Sequence, residues 1–307
     1  METVAFLILH YKTINETKMC INSILKLKTS YNIKILIVDN FSNDESSKEL
    51  LKLSDNIIEV INPGVNLGFS GGNNYGYNYL KKNNNIKYLI VANNDILFVQ
   101  NNFIGKIDTI YNENHFYILG PDIYAFKKKL HQSPISTKNK SIQDVRNEIN
   151  LLEQKLEFYK NGIDYDCIGL KNKMRNKINN TKIYKIFREV KCNICGIERL
   201  NYKEKYYNAC LYGACIIFSK DFLNETDKIF YPETFFYGEE ELLFLRATFF
   251  DWKIMYDPML QVLHIDEASA DLNYNDFFKK KIFQTNQLIN ARKEYIKAYL
   301  KLYGGNS

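Results

Sequence analysis

Residues 3–40 read TVAFLILHYKTINETKMCINSILKLKTSYNIKILIVDN, and this stretch decides the fold. It begins with an apolar run over residues 4–10 and ends with a second apolar run over residues 33–38. Apolar residues between the two runs recur with helical spacing, and Asn15 is placed to cap a helix over residues 16–27. Continuous apolar strands are typical of parallel sheets that are covered on both faces. The stretch therefore predicts a strand, a helix and a second buried strand.

The same alternation continues to about residue 92. Asp44 is expected to cap a helix through residue 53, and residues 57–61 and 88–92 are expected to be strands. A loop rich in glycine and asparagine and a helix near residues 73–81 lie between those two strands. This order predicts an α/β fold with a Rossmann-like, mostly parallel central sheet and helices on both faces. Ligands of such sheets bind beyond the carboxyl ends of the strands.

The charge of the 307-residue chain is unevenly distributed. The net charge is +6, but residues 127–207 hold 19 Lys+Arg against 9 Asp+Glu, and the remainder holds 22 against 26. Because the remainder has a net charge of −4, a nucleic-acid binder built on the main fold is disfavoured. No apolar run approaches the ~20 residues that span a bilayer, and residues 4–9 follow an acidic residue rather than a basic signal-peptide region. We expect a cytoplasmic protein with reduced cysteines.

Residues 127–207 interrupt the alternation and are expected to be helical. Apolar residues recur at heptad spacing over residues 142–159, behind Ser141 as a cap, and residues 171–191 form a second, basic helical candidate. Two functions fit this segment: docking on an anionic membrane surface, or a homodimer through residues 142–159. The alternative is a helical hairpin that packs on its own body. Cys192 and Cys195 supply half of a zinc site at most.

The C-terminal part resumes the globular pattern. We expect strands at residues 211–218, 252–256 and 260–264, and helices at residues 239–250 and 277–300. The helix from residue 239 opens with three glutamates, which suit the positive end of a helix. They follow an aromatic run, and a carboxylate held in apolar surroundings acquires the raised pKa of a general base.

Polar clusters follow three of the predicted strands. Asp39, with Asn40 and Ser42, is suited to accept hydrogen bonds from a ribose or a base, although an Asx-turn has the same pattern. The glycines of residues 66–76 let a backbone approach a ligand, yet the stretch is neither a Walker loop nor a Rossmann fingerprint. Asn93 and Asp95, two residues apart on an extended edge, are expected to point the same way and to share a hard cation.

The motifs that contain these residues occur in a known order along the chain. A strand ends in Val-Asp-Asn-x-Ser at residues 38–42, and Asn-x-Gly-Phe-x-x-Gly-x-Asn-x-Gly follows at residues 66–76. Asn-x-Asp stands at residues 93–95, Tyr-x-Glu-Glu-x-x-Leu-x-x-Arg at residues 237–246, and a late histidine at His264. Together they resemble glycosyltransferase family 2, the inverting GT-A enzymes, and especially its rhamnosyltransferase-like branch. The resemblance covers residues 3–126 and 207–269.

The resemblance implies a role for each matching residue. Those assigned to a nucleotide-diphospho-sugar, TDP- or UDP-linked, are Tyr11, Asp39, Asn40, Ser42, Asn66, Gly68, Gly72, Asn73 and Asn94. Those assigned to a divalent metal, Mg²⁺ or Mn²⁺, are Asp95, Asn93 and His264. Glu240 stands at the position of the general base, with Glu239 beside it. The chain departs from the family where Glu240 replaces the usual Asp and where Asn93 replaces the first acid of the metal motif.

The resemblance also implies an organisation and a function. Residues 1–126 would bind the nucleotide-sugar, residues 127–207 form a basic helical insertion, residues 208–270 hold the acceptor and catalytic half, and residues 271–307 form a C-terminal helical extension. The expected reaction transfers a sugar, with inversion, to a glycan or lipid-linked acceptor in capsule, O-antigen or lipooligosaccharide synthesis. The expected location is the cytoplasm, with a peripheral position on the inner face of the cell membrane as a further expectation.

Two other functions remain open on the sequence. A sugar nucleotidyltransferase should carry a glycine-rich basic loop after the first strand, and residues 10–13 contain no glycine. A non-catalytic nucleotide-sugar-binding assembly protein would keep the donor site without turnover.

Overall fold

The computed structural model describes residues 2–83, 85–165, 200–265 and 276–304. One sheet organises this part of the chain. Its strands are β1 Thr3–His10, β2 Asn32–Asp39, β3 Ile58–Ile61, β4 Ile86–Asn93, β5 Ile96–Phe98, β6 Ile118–Ala125, β7 Leu130–His131, β8 Tyr206–Tyr207, β9 Cys215–Ser219 and β10 Ile254–His264. The helices are α1 Ile14–Ile24, α2 Glu45–Leu51, α3 Gly68–Asn83, α4 Phe103–Asn114, α5 Ile142–Lys160, α6 Lys220–Glu225, α7 Glu239–Phe249 and α8 Phe277–Tyr303.

The sheet has the order β3-β2-β1-β4-β9-β6-β10-β5, with β7 on β6 and β8 on β10. The four N-terminal strands are mutually parallel, as are β6 and β10. Strand β9 runs antiparallel between β4 and β6, and β5 runs antiparallel at the edge beside β10. The α/β class and the parallel N-terminal half are confirmed, and the antiparallel strands make the whole sheet mixed.

Strand β1 shows why the first apolar run is continuous. Val4, Phe6 and Ile8 pack in the core with α1 and α4, whereas Ala5 and Leu7 pack in the opposite core with α3, α6 and α7. All five side chains are fully buried. Because successive side chains of a strand point to opposite faces, a strand that is covered twice needs apolar residues at every position.

The glycine-rich stretch is helical, which corrects our expectation of a loop followed by a helix at residue 73. Helix α3 begins at Gly68 and contains three more glycines. A Cβ on Gly76 would lie 2.3 Å from a methyl carbon of Leu7, and one on Gly72 would lie 2.5 Å from a methyl carbon of Leu9. The missing side chains therefore let the helix lie close against β1, and this packing outweighs the low helix propensity of glycine.

Other element boundaries also differ from the expectations. Helix α1 follows Thr13 rather than Asn15, without a side-chain cap, whereas Asp44 caps α2 by accepting from the Ser46 N–H at 2.9 Å. The two strands expected at residues 252–256 and 260–264 are one strand, β10. Its register with β6 shifts between Asp257 and Gln261, and this irregularity explains why the sequence suggested two strands.

Helix α5 packs on its own chain. Ser141 caps it by accepting from the Asp144 N–H at 3.1 Å. Val145 and Ile149 are buried against Leu242 of α7 and Tyr295 of α8. Packing of the helix on its own body therefore accounts for these apolar positions, and the homodimer through residues 142–159 stays a prediction. The helix expected at residues 171–191 and the Cys192/Cys195 pair lie outside the described residues.

Searching the described ranges for a helix both long enough and apolar enough to cross a bilayer found none.

Candidate active site

The loops after β1 and β2 are tied together at the carboxyl edge of the sheet. The N–H of Asn40 donates to the His10 carbonyl at 2.9 Å, and the N–H of Lys12 donates to the Ser42 hydroxyl at 2.9 Å. Tyr11 therefore lies in the same loop pair as Ser42. Burial lowers the pKa of the His10 imidazole to about 4, so the ring is neutral at pH 7.

The Asp39 carboxylate is buried and held by its own chain. It accepts hydrogen bonds from the Ser42 N–H at 3.0 Å, the Ser47 hydroxyl at 2.6 Å and the Asn62 amide at 3.0 Å. Burial alone would raise its pKa, but these donors more than offset burial and hold the pKa below its usual value. Asp39 is therefore ionised and oriented in advance: its Oδ1 closes the Asx-turn to Ser42, and its Oδ2 already accepts from two donors.

Asn40 connects the end of β2 to the start of α3. Its amide donates to the Asn66 side-chain oxygen at 3.1 Å and to the Gly68 carbonyl at 3.0 Å. Its own oxygen accepts from the Leu67 N–H at 2.9 Å. Asn66 also accepts from the Gly68 N–H at 2.9 Å. These two asparagines shape the loop that opens α3.

Gly68 brings this loop against the segment that precedes α7. The N–H of Phe69 donates to the Phe235 carbonyl at 2.7 Å. Gly68 has φ +69°, and a Cβ there would lie 2.3 Å from that same carbonyl oxygen. Only glycine satisfies both the left-handed backbone and the close approach.

We expect Gly68→Ala to destabilise the protein by roughly 2–5 kcal/mol, combining left-handed backbone strain with a clash against a backbone oxygen. Urea unfolding measures the change. Gly304→Ala is the matched control, because Gly304 has φ −82° and a Cβ there would lie 3.8 Å from the nearest side-chain carbons, those of Leu300. That variant should change stability by less than about 0.5 kcal/mol. Equal losses in both variants would contradict the packing described here.

The asparagines of α3 are buried beside this loop. Asn74 holds the backbone of Phe230 with both ends of its amide, at 2.7 and 3.1 Å. Asn73 donates to the Phe69 carbonyl at 3.0 Å, and its buried oxygen has no hydrogen-bond partner. A buried acceptor without a partner is costly, so this oxygen is suited to meet a donor group of a bound molecule.

Residues 93–95 form a turn, which corrects the expectation of an extended edge. Asn93 ends β4, residues 94 and 95 make the turn, and β5 begins at Ile96. The amide of Asn94 donates to the hydroxyls of Thr13 and Thr17 at 2.6 and 2.8 Å. Asn94 therefore anchors the start of α1, and Asp95 is carried toward β10.

The turn brings Asp95 to His264. The Nε2 atom of His264 lies 3.1 Å from a carboxylate oxygen of Asp95, and both residues are buried. The Nδ1 atom lies 2.7 Å from the side-chain oxygen of Gln132. Since an amide oxygen only accepts, the proton of a neutral ring is assigned to Nδ1, and the Nε2 lone pair faces Asp95. With a protonated ring the same contact is an ion pair.

This donor set fits a divalent cation in part. One carboxylate oxygen and one imidazole nitrogen converge, and Gln132 orients the ring as an outer partner. Across the described ranges, no group of three or more His, Cys, Asp and Glu residues is arranged to hold a metal. A cation at Asp95 and His264 would therefore take its other ligands from water and from phosphate oxygens.

Helix α7 starts at a sharp turn. Tyr237 and Gly238 both have positive φ, +68° and +81°. Glu240 then lies against the segment before β9, where its Oε1 accepts from the Gly213 N–H at 3.2 Å. The next residue, Ala214, accepts from the Asn93 N–H at 2.9 Å. This short connection places Glu240 near the turn that carries Asp95.

Glu239, which is buried, and Glu240, which is half-buried, differ in their surroundings. Burial and the nearby Glu240 hold the pKa of Glu239 well above its usual value, and one of its buried oxygens has no hydrogen-bond partner. Burial also raises the pKa of Glu240, assisted by the Glu241 carboxylate and opposed by the Gly213 N–H and Arg292. Burial therefore favours the protonated form of Glu239 most strongly, whereas the Gly213 N–H and Arg292 favour the carboxylate form of Glu240.

Sequence reasoning missed three contributors to this site: Gln132, Gly213 and Arg292. Gly213 carried a weak signal, since a Cβ there would lie 3.0 Å from the Glu240 carboxylate and only a glycine leaves that space. The other two are ordinary polar residues outside any motif, so only the fold brings them to the site.

The family model described as glycosyl transferase family 2 matches residues 6–181 of the sequence. That match includes residues 127–181, which are most of the segment that we expected to be an insertion, and it ends before Glu240 and His264. S. aureus TarS 1–349 in complex with UDP-GlcNAc has a TM-score of 0.53 at 11% identity, covering 100% of this chain and 74% of that one. The structures of TarS 1–349 alone and with UDP have TM-scores of 0.48 at 12% identity, with the same coverage. A comparison with curated proteins found no significant match.

Proposed function

The chain belongs to glycosyltransferase family 2, and from this premise we propose that it transfers a sugar, with inversion, from a nucleotide-diphospho-sugar to a hydroxyl acceptor. Its fold agrees with the GT-A expectation. Family membership favours sugar transfer over the nucleotidyltransferase alternative. The observation that carries the proposal is the short hydrogen-bonded path from Glu240 through Gly213 and Ala214 to Asn93 and the Asp95–His264 pair.

The nucleotide-sugar is proposed to bind along the carboxyl edge of β1, β2 and β4. Asp39 is ionised and oriented there, in keeping with hydrogen bonds to a base or ribose. Asn73, whose buried side-chain oxygen has no hydrogen-bond partner, lies in the first turns of α3. The loop at Asn66 and Gly68 leads into the same helix. TarS was crystallised with UDP-GlcNAc, so UDP-sugars come first among donors, with TDP-sugars second.

Glu240 is proposed as the general base. Its raised pKa makes it a stronger base than an ordinary glutamate, and it takes the proton of the acceptor hydroxyl while that hydroxyl attacks the anomeric carbon from the face opposite the diphosphate. One displacement inverts the anomeric centre, so no covalent nucleophile is required. The raised pKa of Glu239 favours its protonated form, which lessens the crowding of negative charge beside Glu240 and Glu241 at the start of α7.

Asp95 and His264 are proposed to hold a divalent cation, with Asn93 beside them. A cation bound there supplies Lewis-acid stabilisation of the charge that develops on the leaving diphosphate. Gln132 keeps the His264 ring in the orientation that presents Nε2. In this proposal Asp95 and His264 hold the cation that binds the donor, and Glu240 removes the proton from the acceptor.

The finer assignments remain proposals. The acceptor is a glycan or lipid-linked hydroxyl in surface polysaccharide synthesis, and the nearest family branch is the rhamnosyltransferase-like one. An anionic membrane surface is proposed to attract the basic residues, because residues 166–199 alone hold 9 Lys+Arg against 3 Asp+Glu. That charge supports a peripheral position on the inner face of the cell membrane.

A donor panel tests the function. We expect a true UDP- or TDP-sugar at one hundred times its Kd to stabilise the folded protein by about 2.7 kcal/mol, and to be consumed when a suitable acceptor is present. Thermal-shift and nucleotide-release assays measure the two effects, with the free sugars as controls. Binding without turnover for any acceptor would favour the assembly-protein alternative, and stabilisation by no nucleotide-sugar would contradict the proposal.

A further inference from the structure

Four charged side chains connect the first turn of α7 to two other parts of the chain. We call them the α7 ion cluster: Lys140, Glu148, Glu241 and Arg292. The Nε atom of Arg292 lies 2.5 Å from Glu148, and its Nη1 atom donates to Glu241. The Lys140 ammonium lies 2.5 Å from Glu148 and 2.9 Å from Glu241. Each cation therefore bridges both carboxylates.

The cluster is shielded at its centre. The side chains of Arg292 and Glu241 are only 13% and 19% exposed. Exposed ion pairs contribute little because water and salt screen them, whereas partly buried networks with two contacts per charge are screened far less. The planar fork of arginine also imposes a direction on its carboxylate partners, which an ammonium group does not.

Helix α8 comes close to the start of α7 at the same place. A Cβ on Gly238, the residue that precedes α7, would lie 3.0 Å from the Ala291 methyl carbon and 3.8 Å from an Arg292 nitrogen. Below this contact, Leu242 and Leu245 of α7 pack with Tyr295 of α8. The turn that leads into the glutamates therefore packs closely against the Ala291 methyl group and lies near the Arg292 guanidinium.

We propose that Arg292 is a positioning residue for sugar transfer. By binding Glu241 and Glu148 at once, it fixes the first turn of α7 and thereby the carboxylate of Glu240 against the Gly213 N–H. This inference rests on the proposed role of Glu240 as general base. It also assigns α5 and α8 a function in catalysis, since each supplies part of the cluster.

The charge balance around Glu240 gives the inference a measurable sign. The charged and titratable groups that act on it are Glu239 and Glu241 of α7, Arg292 of α8 and Cys210 of the segment before β9, and Lys140, Glu148 and Tyr295 surround Glu241 and Arg292. The positive charge of Arg292 lowers the pKa of Glu240, and the Glu241 carboxylate raises it. Removing the charge of Arg292 should therefore move the acidic limb of the kcat/KM profile to higher pH, and removing the charge of Glu241 should move it to lower pH.

Arg292→Met removes the charge and keeps most of the apolar stem. We expect kcat/KM at pH 7 to fall about tenfold and the acidic limb to move up by about half a unit to one unit. Arg292→Lys should keep the limb near its original position while recovering only part of kcat. Glu241→Gln should move the limb down, and this opposite shift remains testable if Arg292→Met does not fold.

Lys293→Met is the matched control, because it removes the same charge from the next residue of α8. Lys293 is 54% exposed and lies 4.0 Å from Glu153, so neither activity nor the pH profile should change. A merely structural role for Arg292 would lower activity without moving the limb. An unmoved limb in both Arg292→Met and Glu241→Gln would overturn the inference.

Hydrogen exchange separates failure of this inference from failure of the proposed base. The Gly213 amide has Glu240 as its acceptor, so Arg292→Met should accelerate its exchange whether or not turnover is measured. Faster exchange of the Gly213 amide in Arg292→Met, together with an active Glu240→Gln variant, would refute the role of Glu240 as general base. It would retain the role of Arg292 in positioning Glu240. Unchanged exchange, together with an inactive Glu240→Gln variant, would refute the positioning alone.

Discussion

Glu240→Gln is expected to lower sugar transfer by about 10²–10⁴-fold while leaving the fold intact. The substitution removes the basic oxygen but keeps the size of the side chain and an oxygen that accepts from the Gly213 N–H. Donor binding should persist, because the proposed donor residues lie in the loops after β1 and β2, at the end of β2, in α3 and its preceding loop, and in the turn after β4. The loss should therefore be in kcat rather than in the affinity for the nucleotide-sugar.

Initial rates of transfer against pH measure this effect. In the native protein kcat/KM should fall as the pH drops through the pKa of Glu240, and the raised pKa places that limb above the range of an ordinary glutamate. The limb should vanish in Glu240→Gln, since no proton can be lost there.

Glu239→Gln is the control from the same helical turn. Burial holds the pKa of Glu239 well above its usual value, so the amide of a glutamine resembles the protonated form that burial favours. Its variant should retain transfer within about tenfold. If Glu239→Gln were inactive and Glu240→Gln active, the two residues would have to exchange roles.

Asp95→Ala is expected to lower transfer by about 10²–10³-fold and to weaken the binding of Mn²⁺ in the presence of a nucleoside diphosphate. Asp95 is the carboxylate of the proposed cation site, and loss of several kcal/mol of charge stabilisation at a diphosphate corresponds to this range. His264→Ala should also lower transfer and weaken Mn²⁺ binding, but by less, because the negative charge of the proposed site belongs to the Asp95 carboxylate.

Calorimetry or electron paramagnetic resonance of bound Mn²⁺ measures the site independently of turnover. Asp227→Asn is the control, since its carboxylate is 92% exposed and pairs with Lys81 on the surface. Its cation affinity and rate should equal those of the native protein. Undiminished Mn²⁺ binding and transfer in Asp95→Ala would contradict the metal assignment.

Several parts of this molecule follow from local patterns. The strand–helix alternation, the Asp44 and Ser141 caps and the start of α7 at Glu239 depend on side-chain periodicity and on neighbours within one turn. The glycines before residue 73 suggest a loop in the sequence but belong to α3, because the residues that they pack against are distant in the chain. Gly72 and Gly76 carry a helix against β1, and the approach of Leu7 and Leu9 cannot be seen in a window of adjacent residues.

The sequence alone determined the α/β class, the order of the motifs and the identity of Asp39, Asp95, Glu240 and His264 as candidates, because short-range periodicity and residue chemistry encode them. Only the tertiary structure decided that a turn carries Asp95 to His264, that Gly213 holds Glu240, and that the heptad face of α5 is covered by α7 and α8. Arg292 belongs to this second group as well. Its partners Glu148 and Glu241 are 144 and 51 residues away, and contacts over such separations depend on how the whole chain packs.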